Sequence, residues 1–391
     1  MSSSFRALDF YGRERQFQVY IEGLQGKKPE LPVSPEKLEQ AANEHLSSEA
    51  SGYLDGMADT MRANQEAFRR WRIVPRMLRD VSALDMGIEL FNRQYRTPVL
   101  LAPIGVQSIV HPDGEAAVAR AAAELEIPMV MSTASTLPLE QIAQEMGEAP
   151  RWFQLYWSKD PDFNASVVQR AEQAGCSAIV VTLDTFMLAW RVRDIENAYL
   201  PFLLGQGLGN YLADPAFRRA LAQPPEQNLQ AAVMHFVNIF TNPSLTWKDL
   251  DFLRQRTRLP ILLKGILHPD DALKAIDAGM DGVIVSNHGG RQVEGARAAL
   301  DALPDIVKAV QGRMPVLFDS GIRRGSDIIK AMALGARAVL LGRPYLWGLA
   351  LAGEAGVREV LRNLLADLAL TLALSGYTSF AELDASSLVR D

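Results

Sequence analysis

Eight short apolar segments between residues 98 and 342 constrain the fold of this chain more than any other feature. They show little alternation of polar and apolar residues, which is typical of parallel strands buried on both faces. Five begin with proline, whose missing N–H costs no ladder hydrogen bond at the first position of a strand, and three follow a glycine of the kind that ends a helix. The predicted strands are PVLLAP from Pro98, PMVMST from Pro128, PRWFQLYW from Pro150, GCSAIVVTLD from Gly175, PILLKG from Pro260, GMDGVIVSN from Gly279, PVLFDSG from Pro315 and GARAVLLGR from Gly335.

Helical patterns separate most of these segments, for example at 113–125 and 269–278. Eight strands alternating with helices predict an α/β fold, a (β/α)8 TIM barrel, over residues 96–391. A doubly wound sheet is the alternative, but the regularity of the eight units and the lack of an early glycine-rich fingerprint favour the barrel. Residues 1–95 are predicted to form a helical extension packed on the barrel, in which Ser34 and Pro35 mark a helix start.

The connection after the fourth strand is much longer than the others, from about residue 190 to residue 246, and contains no convincing strand. Connections of this length are usually lids, binding loops or disordered segments. The aromatic and apolar stretches YLPFLLGQGLGNYL and VMHFVNIF argue against disorder. We therefore expect a lid over the mouth of the barrel, with a contact between subunits as the alternative.

Composition and charge exclude several classes of protein. The net charge is −6, and no long run of lysine or arginine occurs, so nothing favours binding to nucleic acid or to an anionic membrane. A single cysteine, Cys176, excludes an intrachain disulfide, and the five histidines lack metal-ligand spacing, so no metal site is expected. The start of the chain has no apolar signal region, which makes a cytoplasmic protein the expectation.

The active site of such a barrel lies at the carboxyl ends of the strands, and nearly every predicted strand here ends in a polar residue. The sixth ends in SNHGGRQ, where His288 and Arg291 are candidates for a catalytic base and an anion clamp. The alternative is a tight turn with a surface histidine. The sequences DSGIRRG and GRP after strands seven and eight predict a phosphate site, because glycine exposes backbone N–H groups and arginine binds phosphate bidentately. Strand composition alone leaves FMN and a sugar phosphate both open.

The sequences SNHGGRQ, KGILHPDDA, FDSGIRRG, LGRP, FQLYW and VTLDT together resemble the FMN-dependent α-hydroxy-acid oxidase family, from about residue 50 to the end of the chain. Within that family, the lid sequence, the insertion after it and GRPYLWGLALAG are most similar to the lactate 2-monooxygenase branch. The resemblance implies FMN as cofactor, a small L-2-hydroxy acid and dioxygen as partners, and a homo-oligomer, a tetramer or its dimer.

The implied reaction converts L-lactate and dioxygen to acetate, carbon dioxide and water. One alternative is a 2-hydroxy-acid oxidase that releases the keto acid and hydrogen peroxide, on a bulkier substrate. A remote alternative is a non-catalytic FMN-binding protein.

The resemblance also implies roles for individual residues. His288 would take a proton from the hydroxy acid, and Asp184 would stabilise the resulting imidazolium. Arg191 and Arg291 would bind the substrate carboxylate, and Tyr156 would hydrogen-bond the substrate oxygens. The residues implied to surround FMN are Pro103, Ile104, Gly105, Ser132, Gln154, Thr182, Lys264, Ser286, Asp319, Ser320, Gly321, Ile322, Arg323, Gly342 and Arg343.

Two positions bear on the choice of substrate and product. The family usually has a second carboxylate-binding tyrosine at the position that Ala50 takes here, and Tyr53, three residues on, replaces it only if the local backbone differs. We therefore expect Ala50 to leave the identity of the hydroxy acid open. Gly105 takes the place of an alanine common in simple oxidases, and is expected to leave room beside the flavin ring.

Overall fold

The computed structural model describes residues 11–391, and eight of its strands form a closed parallel barrel. Each barrel strand pairs with its neighbours in sequence, and the last pairs with the first, Val339 opposite Val99. The strands are β1 (Trp71–Ile73), β2 (Ile88–Leu90), β3 (Arg93–Tyr95), then the barrel strands β4 (Val99–Leu101), β5 (Met129–Ser132), β6 (Arg151–Tyr156), β7 (Ile179–Thr182), β8 (Ile261–Ile266), β9 (Gly282–Val285), β10 (Val316–Asp319) and β11 (Val339–Leu341), and finally β12 (Leu388–Arg390).

All eight predicted strands are present, and the prolines lie immediately before them. Although these prolines lack an N–H, their carbonyl groups accept ladder bonds from neighbouring strands. The N–H of Leu101 donates to the Pro128 carbonyl, and that of Val339 donates to the Pro98 carbonyl, both at 2.8 Å. Val99 to Leu101, like most residues of the other barrel strands, are fully buried, which explains why these segments read as apolar without alternation.

Helices alternate with the strands of the barrel and precede it in the chain. They are α1 (Tyr11–Leu24), α2 (Pro35–His45), α3 (Ser48–Leu54), α4 (Ala58–Arg69), α5 (Gly114–Glu124), α6 (Leu139–Met146), α7 (Pro161–Gln173), α8 (Val192–Glu196), α9 (Gly209–Ala213), α10 (Pro215–Arg219), α11 (Leu229–Phe240), α12 (Leu250–Arg254), α13 (Pro269–Asp277), α14 (Ala299–Val310), α15 (Gly325–Ala333) and α16 (Arg343–Leu374), the last interrupted by non-helical Ala352 and Gly353. The eight-fold alternation of strand and helix identifies the (β/α)8 barrel.

The segment before the barrel contains α1 to α4 and the short strands β1 to β3. Helices α1 and α2 pack against α16, and β1 pairs with β12 at the other end of the chain. Helix α2 begins at Pro35, with the Ser34 side chain accepting a hydrogen bond from the backbone N–H of Lys37. Helix α3 follows closely and brings its carboxyl end to the mouth of the barrel, where Leu54 lines the central cleft.

The long connection between β7 and β8 is folded, with helices α8 to α12 and no strand among its residues. Aromatic residues of the connection pack against α7, where the Tyr211 and Phe163 rings stack with centroids 4.2 Å apart. Asn210 is fully buried and fastens the connection to the end of β5. Its Nδ2 donates to the carbonyls of Ser132 at 3.0 Å and of Thr133 at 3.1 Å. This anchoring holds the connection against the mouth of the barrel.

Within residues 11–391, no helix has both the length and the apolar character needed to cross a lipid bilayer. Cys176 is buried and unpaired, and burial raises the pKa of its thiol to about 12, so this thiol stays protonated.

Candidate active site

The carboxyl ends of the barrel strands surround a deep cleft, whose empty volume, including its open mouth, is about 940 Å³. The predicted residues that line it are Pro103, Ile104, Gly105, Tyr156, Arg191, Lys264, His288, Arg291, Asp319, Ser320, Gly321, Ile322, Arg323, Gly342 and Arg343. Five other predicted residues are not part of the lining and lie behind it: Ser132, Gln154, Thr182, Asp184 and Ser286.

His288 lies just beyond β9, on a turn that the two following glycines share. Its backbone is in the left-handed region, with φ of 59°, and its N–H donates to Ser286 Oγ at 3.0 Å. Its Nδ1 lies 2.8 Å from Asp184 Oδ1, beyond the end of β7. A Cβ on Gly265 would lie 2.9 Å from the Asp184 side chain, so this glycine of β8 makes room for the carboxylate. Because Nδ1 faces Asp184, Nε2 is the ring nitrogen available to a substrate.

The protonation of this pair follows from burial and from its neighbours. Burial lowers the pKa of His288, and the positive charges of Lys264 and Arg291 add to the lowering, while Asp184 opposes it. Burial alone would raise the pKa of Asp184, but His288, Lys264 and the Thr185 hydroxyl outweigh burial, and the pKa is lowered. The resting pair is thus a neutral imidazole that donates Nδ1–H to an ionised carboxylate, the form that a general base requires.

Two arginines approach the same end of the cleft from different elements. Arg191, just before α8, donates from Nε to the Arg291 carbonyl at 3.2 Å and from Nη2 to Gln292 Oε1 at 2.7 Å. Arg291 donates from Nη1 to the carbonyls of Tyr53 and Asp55, the second at 2.7 Å. Burial, followed by repulsion from Arg191, lowers the pKa of Arg291 to about 9, so the side chain stays charged at neutral pH. Two buried guanidinium groups this close favour a carboxylate ligand.

A tyrosine lies beside these arginines, and it is Tyr53. Tyr53 lines the cleft, and the centre of its ring is 5.0 Å from the Arg291 guanidinium carbon. Ala50, one turn earlier in α3, is buried and does not line the cleft. The sequence-based expectation that Ala50 leaves this position without a tyrosine was therefore wrong. Burial raises the pKa values of Tyr53 and Tyr156, so both hydroxyls remain protonated donors.

Lys264 is the central cation of the barrel. Its Nζ lies 3.0 Å from Ser286 Oγ and 3.1 Å from Asp319 Oδ2, and Ser286 donates to the same carboxylate oxygen at 2.6 Å. Burial alone would lower the pKa of Lys264, but Asp319 and Asp184 outweigh burial and raise it. The ammonium group therefore stays charged and fixed in place at the floor of the cleft.

The other end of the cleft carries Arg323 and Arg343, beside the predicted phosphate loop. Arg343 is buried and Arg323 is half-buried, and Arg343 donates from Nε to the Leu54 carbonyl at 2.8 Å and from Nη1 to the Gly289 carbonyl at 3.0 Å. Among residues 11–391, Arg323 Nε and Arg343 Nη2 have no hydrogen-bond partner although they are buried. Buried cationic donors without a partner are costly unless a ligand occupies them. This end therefore fits the phosphate of FMN.

The polar groups on the wall near β5 and β6 also fit a flavin. Ser132 donates to Gln154 Oε1 at 3.2 Å, which fixes the amide with Nε2 as its free donor. Gln154 Nε2 is buried and has no partner in the described part of the chain. An unfilled amide donor suits the carbonyl-rich edge of a flavin ring.

Gly105 makes a close backbone approach possible. A Cβ there would lie 2.6 Å from the Ala134 carbonyl oxygen and 3.0 Å from the Ala134 Cβ. The glycine is therefore required by the neighbouring loop after β5. A side chain at this position would point at Ala134, which also lines the cleft, so contact with this loop is a reason for glycine that the sequence did not show.

Several cleft residues were not singled out from the sequence. Leu188, Phe202 and Phe240 come from the connection after β7 and form an apolar wall, and the Phe240 ring lies 5.5 Å from that of Tyr156. Thr185 adds a hydroxyl 3.3 Å from His288 Nδ1. The apolar stretches of the connection indicated a folded lid, but no spacing pattern shows which of their aromatic residues reach the cleft.

Comparisons with known proteins agree with this geometry. The family described as FMN-dependent dehydrogenase matches residues 42–390. An L-lactate oxidase of Lysinibacillus sphaericus is 46% identical over 364 residues, covering 92% of this chain and 94% of the relative. A 4-hydroxymandelate oxidase of Amycolatopsis orientalis is 42% identical over 351 residues, covering 89% and 95%. Among solved structures, mandelate oxidase with (S)-4-hydroxymandelic acid has a TM-score of 0.81 and 40% identity, covering 92% of this chain and 99% of that one.

The two adjacent arginines of the phosphate loop provide a matched test of the FMN site. We expect Arg323→Ala to weaken FMN binding by at least about tenfold, because a hydrogen bond to a charged group contributes about 1.5–3 kcal/mol. Arg324 is half-exposed and pairs with Glu36 at 2.5 Å, so Arg324→Ala should change the affinity by less than about threefold. Quenching of FMN fluorescence on titration into apoprotein measures both. Equal weakening by the two variants would contradict this assignment.

Proposed function

Because the chain belongs to the FMN-dependent dehydrogenase family and is an FMN-dependent 2-hydroxy-acid oxidoreductase, we propose that it oxidises L-lactate and, with dioxygen, forms acetate, carbon dioxide and water. The catalytic role in this proposal rests on one observation: His288 Nδ1 lies 2.8 Å from Asp184 Oδ1, beside Arg191 and Arg291. An alternative product outcome, release of keto acid and hydrogen peroxide, is favoured by the names of the relatives, which include L-lactate oxidase and 2-hydroxyacid oxidase 1.

In this proposal His288 is the base. Its Nε2 accepts a proton from the substrate as the hydroxyl-bearing carbon is oxidised, and Asp184 stabilises the imidazolium that forms. The ion pair is stronger in the transition state than in the resting state, because the imidazole gains its charge only during the reaction. When bound, FMN would supply the two-electron acceptor for this oxidation and the redox chemistry for the reduction of dioxygen.

The remaining polar residues orient the substrate. Arg191 and Arg291 bind its carboxylate, and the protonated hydroxyls of Tyr53 and Tyr156 donate to its oxygens. These four residues line the cleft together with His288. With its carboxylate bound by them, the substrate would present its hydroxyl-bearing carbon to His288. Positioning of this kind lowers the barrier by fixing the reacting atoms in advance. Lys264, whose ammonium group is charged and held by Ser286 and Asp319, would offset negative charge on the cofactor when it is bound.

The wall of the cleft supports a small substrate. Leu188, Phe202 and Phe240 close the side of the cleft near Tyr156, where the substituent on the hydroxyl-bearing carbon would lie. A methyl group suits this apolar wall. A larger aryl group would require the lid to move. Because one relative is named 4-hydroxymandelate oxidase, an aryl 2-hydroxy acid is the substrate to compare with L-lactate.

Replacement of His288 tests the base. We expect His288→Gln to keep FMN, visible as an unchanged flavin absorption spectrum, and to slow anaerobic flavin reduction by L-lactate by about 10²–10⁴-fold. His268→Gln is the control, because His268 is exposed at the N-cap of α13 and is not among the residues that line the cleft. A His288 variant that reduces at the rate of the unmodified enzyme would refute the assignment.

The pH dependence of flavin reduction follows from the sign of the His288 pKa shift. Since burial lowers this pKa from 6.5, the neutral base persists to lower pH. The rate should be flat at neutral pH and fall about tenfold per unit only below the shifted pKa, at pH values under 6.5. Asp184→Asn should lower the plateau and move the acid limb further down, because the imidazolium loses its counter-charge. An acid limb centred above pH 7 would count against His288 as the base.

Product analysis in air decides between the two outcomes. We expect acetate and carbon dioxide in equal amounts from L-lactate, with little peroxide, measured by NMR of ¹³C-labelled lactate and a peroxidase-coupled assay. Stoichiometric pyruvate and hydrogen peroxide would reject the monooxygenase and leave the oxidase.

A further inference from the structure

The lid helix α8 is fastened to α3 of the helical extension. Arg193 forms an ion pair from Nη1 with the Asp55 carboxylate and donates from Nη2 to Ser51 Oγ at 3.3 Å. Asn197, which ends α8, donates from Nδ2 to the Ser48 carbonyl at 3.0 Å and accepts from Ser48 Oγ at 3.1 Å. Polar contacts thus run along both ends of the short interface between the two helices.

The two helices fit closely because α3 carries a glycine where they meet. A Cβ on Gly52 would lie 2.9 Å from Asn197 Nδ2 and 3.3 Å from the Arg193 Cβ. Its φ is that of an ordinary helix, so backbone conformation does not require glycine here. The close approach of α8 is the reason that a side chain is missing.

This contact is continuous with the carboxylate site. Asp55 holds Arg193 with its side chain and Arg291 with its main-chain carbonyl, the latter at 2.7 Å. Arg191, two residues before Arg193 on the same lid segment, donates to the Arg291 carbonyl at 3.2 Å. A carboxylate held by Arg191 and Arg291 therefore bridges the lid and the loop after β9, while Arg193 and Asp55 bridge the lid and the extension.

We propose that Arg193 and Asp55 form a latch that keeps the lid closed over a bound 2-keto acid and so slows its release. Both are positioning residues and do not touch the reacting atoms. The latch holds the product between Arg191 and Arg291 during the interval in which dioxygen is reduced. Its consequence for products rests on the proposed monooxygenase function, whereas its effect on lid closure does not.

The consequence for products follows from a balanced reaction. Pyruvate and hydrogen peroxide give acetate, carbon dioxide and water: the C1–C2 bond of pyruvate and the O–O bond of peroxide break, and a new C–O bond forms at C2. The electron pair of the C1–C2 bond reduces peroxide, and dioxygen, reduced by the lactate electrons, is the source of that peroxide. Both reactants must stay in the closed site, so the lifetime of the closed lid sets the fraction decarboxylated.

The exposure of the latch suits a contact that opens in every turnover. The side chains of Arg193 and Asp55 are 43% and 23% exposed, respectively. Ion pairs of this exposure are weak and are screened by salt. When the pair is broken at low ionic strength, we therefore expect the rates of α8 amide exchange and of pyruvate release to rise about two- to fivefold. In high salt the rise should be smaller.

The test compares Arg193→Gln with Arg218→Gln in the FMN-loaded enzyme. Arg218 also lies in the long connection after β7 and forms an exposed ion pair with Glu226 at 2.9 Å, away from α3. Hydrogen exchange of the α8 amides is followed with and without pyruvate, together with the rate of pyruvate release and the peroxide-to-acetate ratio. Arg193→Gln should speed α8 exchange and pyruvate release about two- to fivefold and raise the peroxide fraction, while Arg218→Gln should match the unmodified enzyme.

Charge exchange separates a latch from a general loss of structure. The double variant Arg193→Glu with Asp55→Lys should return α8 exchange and pyruvate release towards the unmodified values, and Arg193→Lys should do so in part. The latch is overturned if Arg193→Gln and Arg218→Gln give equal α8 exchange, or if neither charge-restoring variant rescues it. If the unmodified enzyme releases stoichiometric peroxide, the monooxygenase function fails, and exchange and release rates still decide the latch.

Discussion

The site depends on closure of the barrel between β11 and β4. The pairing of Val339 with Val99, and the hydrogen bond from the Val339 N–H to the Pro98 carbonyl, join segments separated by most of the chain. Once the barrel is closed, the residues after each strand converge on one rim, whatever their distance in sequence. His288 and Asp184 are then 2.8 Å apart although two strands of the chain lie between them in sequence. Closure thus turns a linear pattern of strand ends into a reactive centre.

The closed rim concentrates buried positive charge. The cleft lining carries five cations, Arg191, Lys264, Arg291, Arg323 and Arg343, and one carboxylate, Asp319, while Asp184 and Asp194 lie next to it. Burial lowers the pKa values of Arg291, Arg323 and Arg343. Like charges held together in a low dielectric are unfavourable until anions arrive. A phosphate at one end and a carboxylate at the other relieve this repulsion. The arrangement therefore favours one anionic group at each end of the cleft. The phosphate of FMN suits one end, and the carboxylate of a hydroxy acid suits the other.

Patterns of strand-end residues were sufficient to predict the barrel and to place His288 and Arg291 at its catalytic rim, because both depend on local sequence and on the rule that parallel strands share an edge. The pairing of His288 with Asp184 and the role of Arg191 were implied by the resemblance to a known family. Predictions failed where packing between distant segments decides. Tyr53 reaches the cleft because α3 presents it there, and aligning residues by spacing pointed to Ala50 instead. Glycine is required at position 105 because of its contact with Ala134, and no local sequence pattern indicates that contact.

The contribution of α3 was hardest to predict, because it is made largely by main-chain carbonyls. The carbonyls of Tyr53 and Asp55 hold Arg291, and the carbonyl of Leu54 holds Arg343. These groups belong to the end of a helix, where carbonyls lack helical partners and carry partial negative charge, so buried cations complete them. A single helix end thereby fixes an arginine at the phosphate end and an arginine at the carboxylate end relative to each other. The extension is therefore part of the binding site, and its removal would leave both arginines without their anchors even if the barrel stayed closed.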